Sequence, residues 1–130
     1  MTSLLGIRAE GEILRVTFRG VVRTSDILAA FASASHAGRW VTNRRLWDVC
    51  GCDLAFIADE FAELAAVAQE SDALPGKLAV LVDSDLNFGL LRMYQVYRES
   101  RDVGVQLRVF RDEEDATRWL RLPLDSPGLP

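Results

Sequence analysis

Five aspartates stand where strands are expected to end: Asp48 and Asp53 after one strand, Asp83 and Asp85 after the next, and Asp112 after the last. Ligands of open sheets gather at the carboxyl edge of parallel strands, so acids placed there can hold a magnesium ion or act as an acid and base pair. A receiver-like arrangement would also need paired acids near the start of the sheet and a lysine at the end of its last strand. The chain has no such early pair and carries Arg108 and Arg111 instead of a lysine. Asp83, Asp85 and Asp112 also occupy ordinary helix N-cap positions, where a short side-chain oxygen accepts from an unpaired backbone N–H. Capping is their expected role, and neither a metal nor any other cofactor is expected.

Other reactive groups are few. Cys50 and Cys52 stand two apart in a strand-to-loop stretch that turns their side chains away from each other, and His36 is the single histidine. A metal shell needs more ligands than these supply, and nothing in the pattern carries His36, at the end of the first expected helix, to the start of the second. Both thiols read as reduced and structural. Gly51, Gly76 and Gly89 are isolated, so no glycine-rich phosphate loop is present. The net charge of −4 gives no footprint for nucleic acid, which requires clustered positive charge. Lys77 is the only lysine among 15 basic residues, a skew that reads as compositional bias rather than as a binding device. No apolar run approaches the ~18 residues of a membrane span, so a cytoplasmic protein is expected.

These residues must be positioned by a strand–helix–strand unit from Arg45 to Asp83. The spacing of Ile57, Phe61, Leu64, Ala65 and Ala68 predicts an amphipathic helix over about Ile57 to Glu70. Leu78 to Val82 are apolar without a break, which predicts a strand covered on both faces, as in the middle of a parallel sheet. Before this unit, two strand-like runs meet at Glu10-Gly11 in an expected hairpin, and Leu14, Val16 and Phe18 alternate with Arg15, Thr17 and Arg19. Thr24 or Ser25 can cap a first helix. After the unit come a helix of about Leu86 to Arg101, a strand through Val105, Leu107 and Val109, and a last helix whose inner face is Ala116, Trp119 and Leu120. The fold class is α/β: one mixed five-stranded sheet, a hairpin followed by β–α repeats, covered by four helices. Residues 1–122 form one domain, and 123–130 read as a flexible tail.

On the third expected helix, Leu86, Leu90, Met93, Tyr94 and Tyr97 point one way and serve the core. Phe88, Arg92 and Val96 point nearly opposite, with Gly89 alongside. An outward Phe and Val beside a glycine, with an arginine between them, have the composition of an interface centre. A homodimer or protein-partner surface is therefore expected at Phe88, Gly89, Arg92 and Val96.

The order of elements, with Leu46-Trp47-Asp48-Val49-Cys50-Gly51, Phe88-Gly89-Leu90-Leu91-Arg92-Met93-Tyr94 and the run from Val109 to Leu120, resembles the SpoIIAA-like proteins, relatives of the STAS domain. The resemblance runs from about Ile13 to Leu120. It implies a STAS-like fold and a regulatory or binding role. Family members include anti-sigma-factor antagonists regulated by phosphorylation of a serine at a helix start, and a group compared with CRAL-TRIO lipid-binding domains. Aligned on Asp48, the place of that serine reads Phe56-Ile57-Ala58-Asp59-Glu60, and no hydroxyl residue lies between Cys50 and Phe61. The chain is thus expected to be a non-catalytic module for a protein partner or an apolar small molecule, without that switch. The alternative is a small enzyme or metal-binding domain built on the strand-end aspartates.

Overall fold

The computed structural model describes residues 4–29, 44–55, 60, 62–63, 66, 76–99 and 105–123. Its strands are β1 (Leu4–Glu10), β2 (Ile13–Phe18), β3 (Val21–Val22), β4 (Arg44–Asp48), β5 (Asp53–Leu54), β6 (Gly76–Leu81) and β7 (Val105–Phe110). Helices are α1 at residues 24–29, α2 (Asp85–Glu99) and α3 (Glu113–Arg121). The main sheet has the order β1-β2-β4-β6-β7. β1 and β2 form the expected antiparallel hairpin, turning at Gly11, whose φ of 64° is the left-handed conformation that glycine adopts without strain. From β2 to β7 every neighbour is parallel. β3 and β5 make a separate parallel pair of two residues each, too short to leave a periodic signal in the sequence.

Three helices are delimited among the described residues; the fourth expected one, over Ile57–Glu70, falls mostly outside them, its described positions 62, 63 and 66 being helical, and the tail from residue 124 lies outside them too. Strand β6 is buried at every position from Gly76 to Leu81, as its unbroken apolar run requires. One sheet face packs Val16, Phe18, Trp47, Val80 and Leu107 against Leu91 and Tyr94 of α2. The other packs Ile13, Leu46, Ala79 and Leu81 against Ala116, Trp119 and Leu120 of α3.

Local chemistry fixes both helix starts. Asp112 caps α3 by accepting from the Asp115 N–H, and Glu113, Glu114 and Asp115 follow where the macrodipole favours acids. Ser84 caps α2: its Oγ accepts from the Asn87 N–H at 3.1 Å. The far end of α3 is held from inside the sheet. Lys77, only 3 % exposed, donates Nζ to the carbonyls of Trp119 at 2.9 Å and Leu122 at 3.3 Å, and Arg44 Nε donates to Leu120 O at 2.8 Å. Cations on C-terminal carbonyls satisfy groups that have no partner within the helix.

Helix α2 is rotated from the expected orientation. Its buried line is Asn87, Leu91, Tyr94 and Arg98, with Phe88, Leu90 and Tyr97 half-buried beside it. Leu86 and Met93, expected in the core, are instead 79 % and 55 % exposed. Phe88, expected outside, packs against the core and lies under the Arg111 guanidinium, 4.4 Å from the ring centroid. The reason is Asn87, whose Nδ2 donates to Cys52 O at 2.8 Å inside the protein and sets the rotation of the helix.

Candidate functional site

The strand-end aspartates are placed by the fold but do not converge. Asp48, 5 % exposed at the end of β4, accepts from Arg15 Nη2 at 2.7 Å and from the Cys50 N–H at 3.0 Å. Burial works to raise its pKa, but the Cys50 N–H and the Arg15 guanidinium outweigh burial and hold it below the ordinary carboxylate value. Arg15 also reaches Glu113 at 2.9 Å, so the network ties β2, β4 and the start of α3 together. Asp83 does not cap α2 as expected: both its oxygens accept from the Gly51 N–H at 2.9 Å, which pins the turn after β4 to the end of β6. Asp85 lies in the first turn of α2, exposed, and pairs with Arg111. Asp53 is exposed in β5, on the far side of that turn. Among the described residues no group of three His, Cys, Asp or Glu side chains stands close enough to hold a metal ion.

The thiols are free and poorly disposed to react. Burial first, then the negative charge of Asp48 and Asp83, pushes Cys50 up to about 12. Burial likewise raises Cys52, whose Sγ lies 3.8 Å from Cys50 O. A thiol held protonated is neither a nucleophile nor a metal ligand at neutral pH. His36 lies outside the described residues.

Two other places remain. Along α2, Leu86, Gly89, Met93 and Val96 form one solvent-facing line, with Arg92 exposed beside it. The expected outward set of Phe88, Gly89, Arg92 and Val96 therefore loses Phe88 and gains Leu86 and Met93. The steps of three, four and three residues are those of a coiled-coil seam. Space is open above Gly89, where a Cβ would meet nothing within 4 Å. Behind the same helix, between it and the sheet, lies an apolar cavity of about 50 Å³, lined by residues that include Phe18, Trp47, Val80, Leu91, Leu107 and Arg98. Sequence reasoning leaves open whether an apolar pocket exists between the sheet and this helix, because its walls come from separate strands and helices. It missed the burial of Arg98, which sits two residues beyond exposed Val96.

The fold is thus a mixed α/β sheet domain that begins with a hairpin. Among solved structures, the chain is similar to the anti-sigma factor antagonist SpoIIAA in its unphosphorylated form, at 16 % identity and a TM-score of 0.49, over 91 % of this chain and 98 % of that one. A weaker similarity, at 20 % identity and a TM-score of 0.30, links 86 % of the chain to 27 % of Mglu in its native form. No family model matches the chain, and no curated protein does. No helix among the described residues is long and apolar enough to cross a membrane.

Proposed function

We propose that the protein is a non-catalytic interaction module, regulatory in role, that docks through the exposed face of α2, and that its partner there is a second copy of the chain. One observation carries this reading: Leu86, Met93 and Val96 are 79 %, 55 % and 63 % exposed on a helix whose opposite side is fixed in the core. A folded domain gains nothing from three large apolar side chains in one line on its surface.

The line is symmetric about residue 91. In an antiparallel pair of α2 helices, Leu86 of one copy meets Val96 of the other, and Gly89 meets Met93. A two-fold axis repeats each contact, as a self-complementary interface requires. The open space above Gly89 receives the Met93 side chain, and the helix macrodipoles oppose. A parallel pair would instead set glycine on glycine and leave a gap. Covering the six side chains of two copies is worth on the order of 10 kcal/mol. Association costs a comparable ~4–15 kcal/mol, so the dimer is reversible. The two Arg92 side chains flank the axis and repel, so added salt tightens the pair.

The acids support a non-catalytic reading. Asp48, Asp83, Asp85 and Asp112 each have a structural partner, and the phosphoserine position of the antagonists has no hydroxyl residue here. Sedimentation equilibrium tests the proposal. Wild type forms a concentration-dependent dimer, and Met93→Glu with Val96→Asp stays monomeric and folded. A wild type that remains monomeric at high concentration and high salt contradicts it.

A further inference from the structure

The apolar line on α2 contains one atom whose polarity a small reagent can change. Leu86 and Val96 end in saturated hydrocarbon and Gly89 has no side chain, whereas Met93 carries a thioether sulfur. Met93 is 55 % exposed, so that sulfur is open to attack from solvent. Met1 is the only other methionine of the chain. The thiols compete poorly for an oxidant, because Cys50 is half-buried, Cys52 is buried, and both are held protonated, while the reactive form of a cysteine is its thiolate. A thioether has no proton to lose and needs only access.

We propose that Met93 is an oxidation site through which a hydroperoxide controls the pairing of two α2 helices, an inference that rests on the antiparallel dimer proposed above. The sulfur lone pair attacks a peroxide oxygen and the O–O bond breaks as the S–O bond forms. With hydrogen peroxide the sulfur is oxidised by two electrons to the sulfoxide, and the peroxide is reduced to one molecule of water. In the seam Met93 enters the open space above Gly89 of the other copy, where a Cβ would meet nothing within 4 Å. That glycine offers no side-chain donor, so the new oxygen loses its water without replacement. The two-fold axis doubles the effect, since each dimer buries two sulfoxides. The monomer is untouched, because Met93 faces solvent there and α2 is held from its other side by Asn87, Leu91 and Tyr94. The oxidised dimer is therefore weaker by at least about a hundredfold, roughly tenfold for each polar group buried without a partner.

Sedimentation equilibrium of the full chain before and after treatment with hydrogen peroxide tests the site, with peptide mass spectrometry locating the added oxygen. Oxygen appears on Met93 before it appears on Cys50 or Cys52, the dimer dissociation constant rises at least about a hundredfold, and the melting temperature of dilute protein is unchanged. Dithiothreitol alone, which reverses only cysteine oxidation, leaves the protein monomeric; dithiothreitol with both methionine sulfoxide reductases, one for each sulfoxide epimer, restores the dimer. An untreated protein that stays monomeric removes this proposal together with the dimer on which it rests. Three results overturn the oxidation site and leave the dimer standing: affinity unchanged after full oxidation of Met93, recovery with dithiothreitol alone, or oxidation of the cysteines ahead of Met93.

Discussion

Arg15 Nη2 and Asp48 Oδ2 lie 2.7 Å apart across strands β2 and β4, and both side chains are largely withdrawn from solvent. The pair sits on the α3 side of the sheet, where that helix lies mainly over β4, β6 and β7, with β2 at its border. Arg15 shields this border, and its further contact, to Glu113, fastens the first turn of α3 to the sheet.

Asp48 makes stability depend on acid. Its pKa in the fold is lowered, so its stabilising contribution is complete above the unfolded value near ~4 and is lost as pH falls through the lower folded value. Asp48→Asn is expected to cost about 1–3 kcal/mol at pH 7. Urea unfolding from pH 7 downward should show the two proteins converging below about pH 4. A gap that stays constant with pH contradicts this role.

Lys77 is both the only lysine and a buried cap. An amine-acylating reagent should leave Lys77 unmodified in the native protein and modify it fully after denaturation, as read by peptide mass spectrometry. Lys77→Met should lower stability by about 1–3 kcal/mol, because carbonyls at the end of α3 lose their donor. Hydrogen exchange should then speed up first at residues 117–121.

Phe88 and Val96 should separate packing from docking. Phe88 is half-buried under Arg111, so Phe88→Ala is expected to lower stability by about 2 kcal/mol, short of the ~3–5 kcal/mol of a fully buried ring. Val96→Asp should leave the melting temperature of dilute protein unchanged. Calorimetry at low concentration reads both, and the reverse order would restore Phe88 to the outer face.

The sheet was legible because its residues carry their own signals. Leu78 to Val82 demand burial on both faces, Glu10-Gly11 is a turn sequence, and Asp112 with three following acids marks a helix start. Helix α2 was legible as a helix but not in its rotation. Apolar residues occur on two of its sides, and the residue that sets its orientation is polar: Asn87 reaches Cys52 O, 35 positions away. The burial of Lys77, Arg45 and Arg98 was hidden for a related reason, since a charged side chain is buried only where distant groups receive it. The candidate surface was half legible. Gly89, Arg92 and Val96 were on it, whereas Leu86 and Met93 were hidden by the same rotation.

Pairing of two α2 helices is tested most directly by disulfide trapping. Leu86→Cys and Val96→Cys proteins are oxidised separately and as a mixture, with unsubstituted protein, whose own thiols are Cys50 and Cys52, as the blank. The antiparallel seam predicts rapid covalent dimerisation in the mixture and little in either protein alone. Cross-linking of Leu86→Cys with itself but not with Val96→Cys, or of neither above the blank, would contradict it.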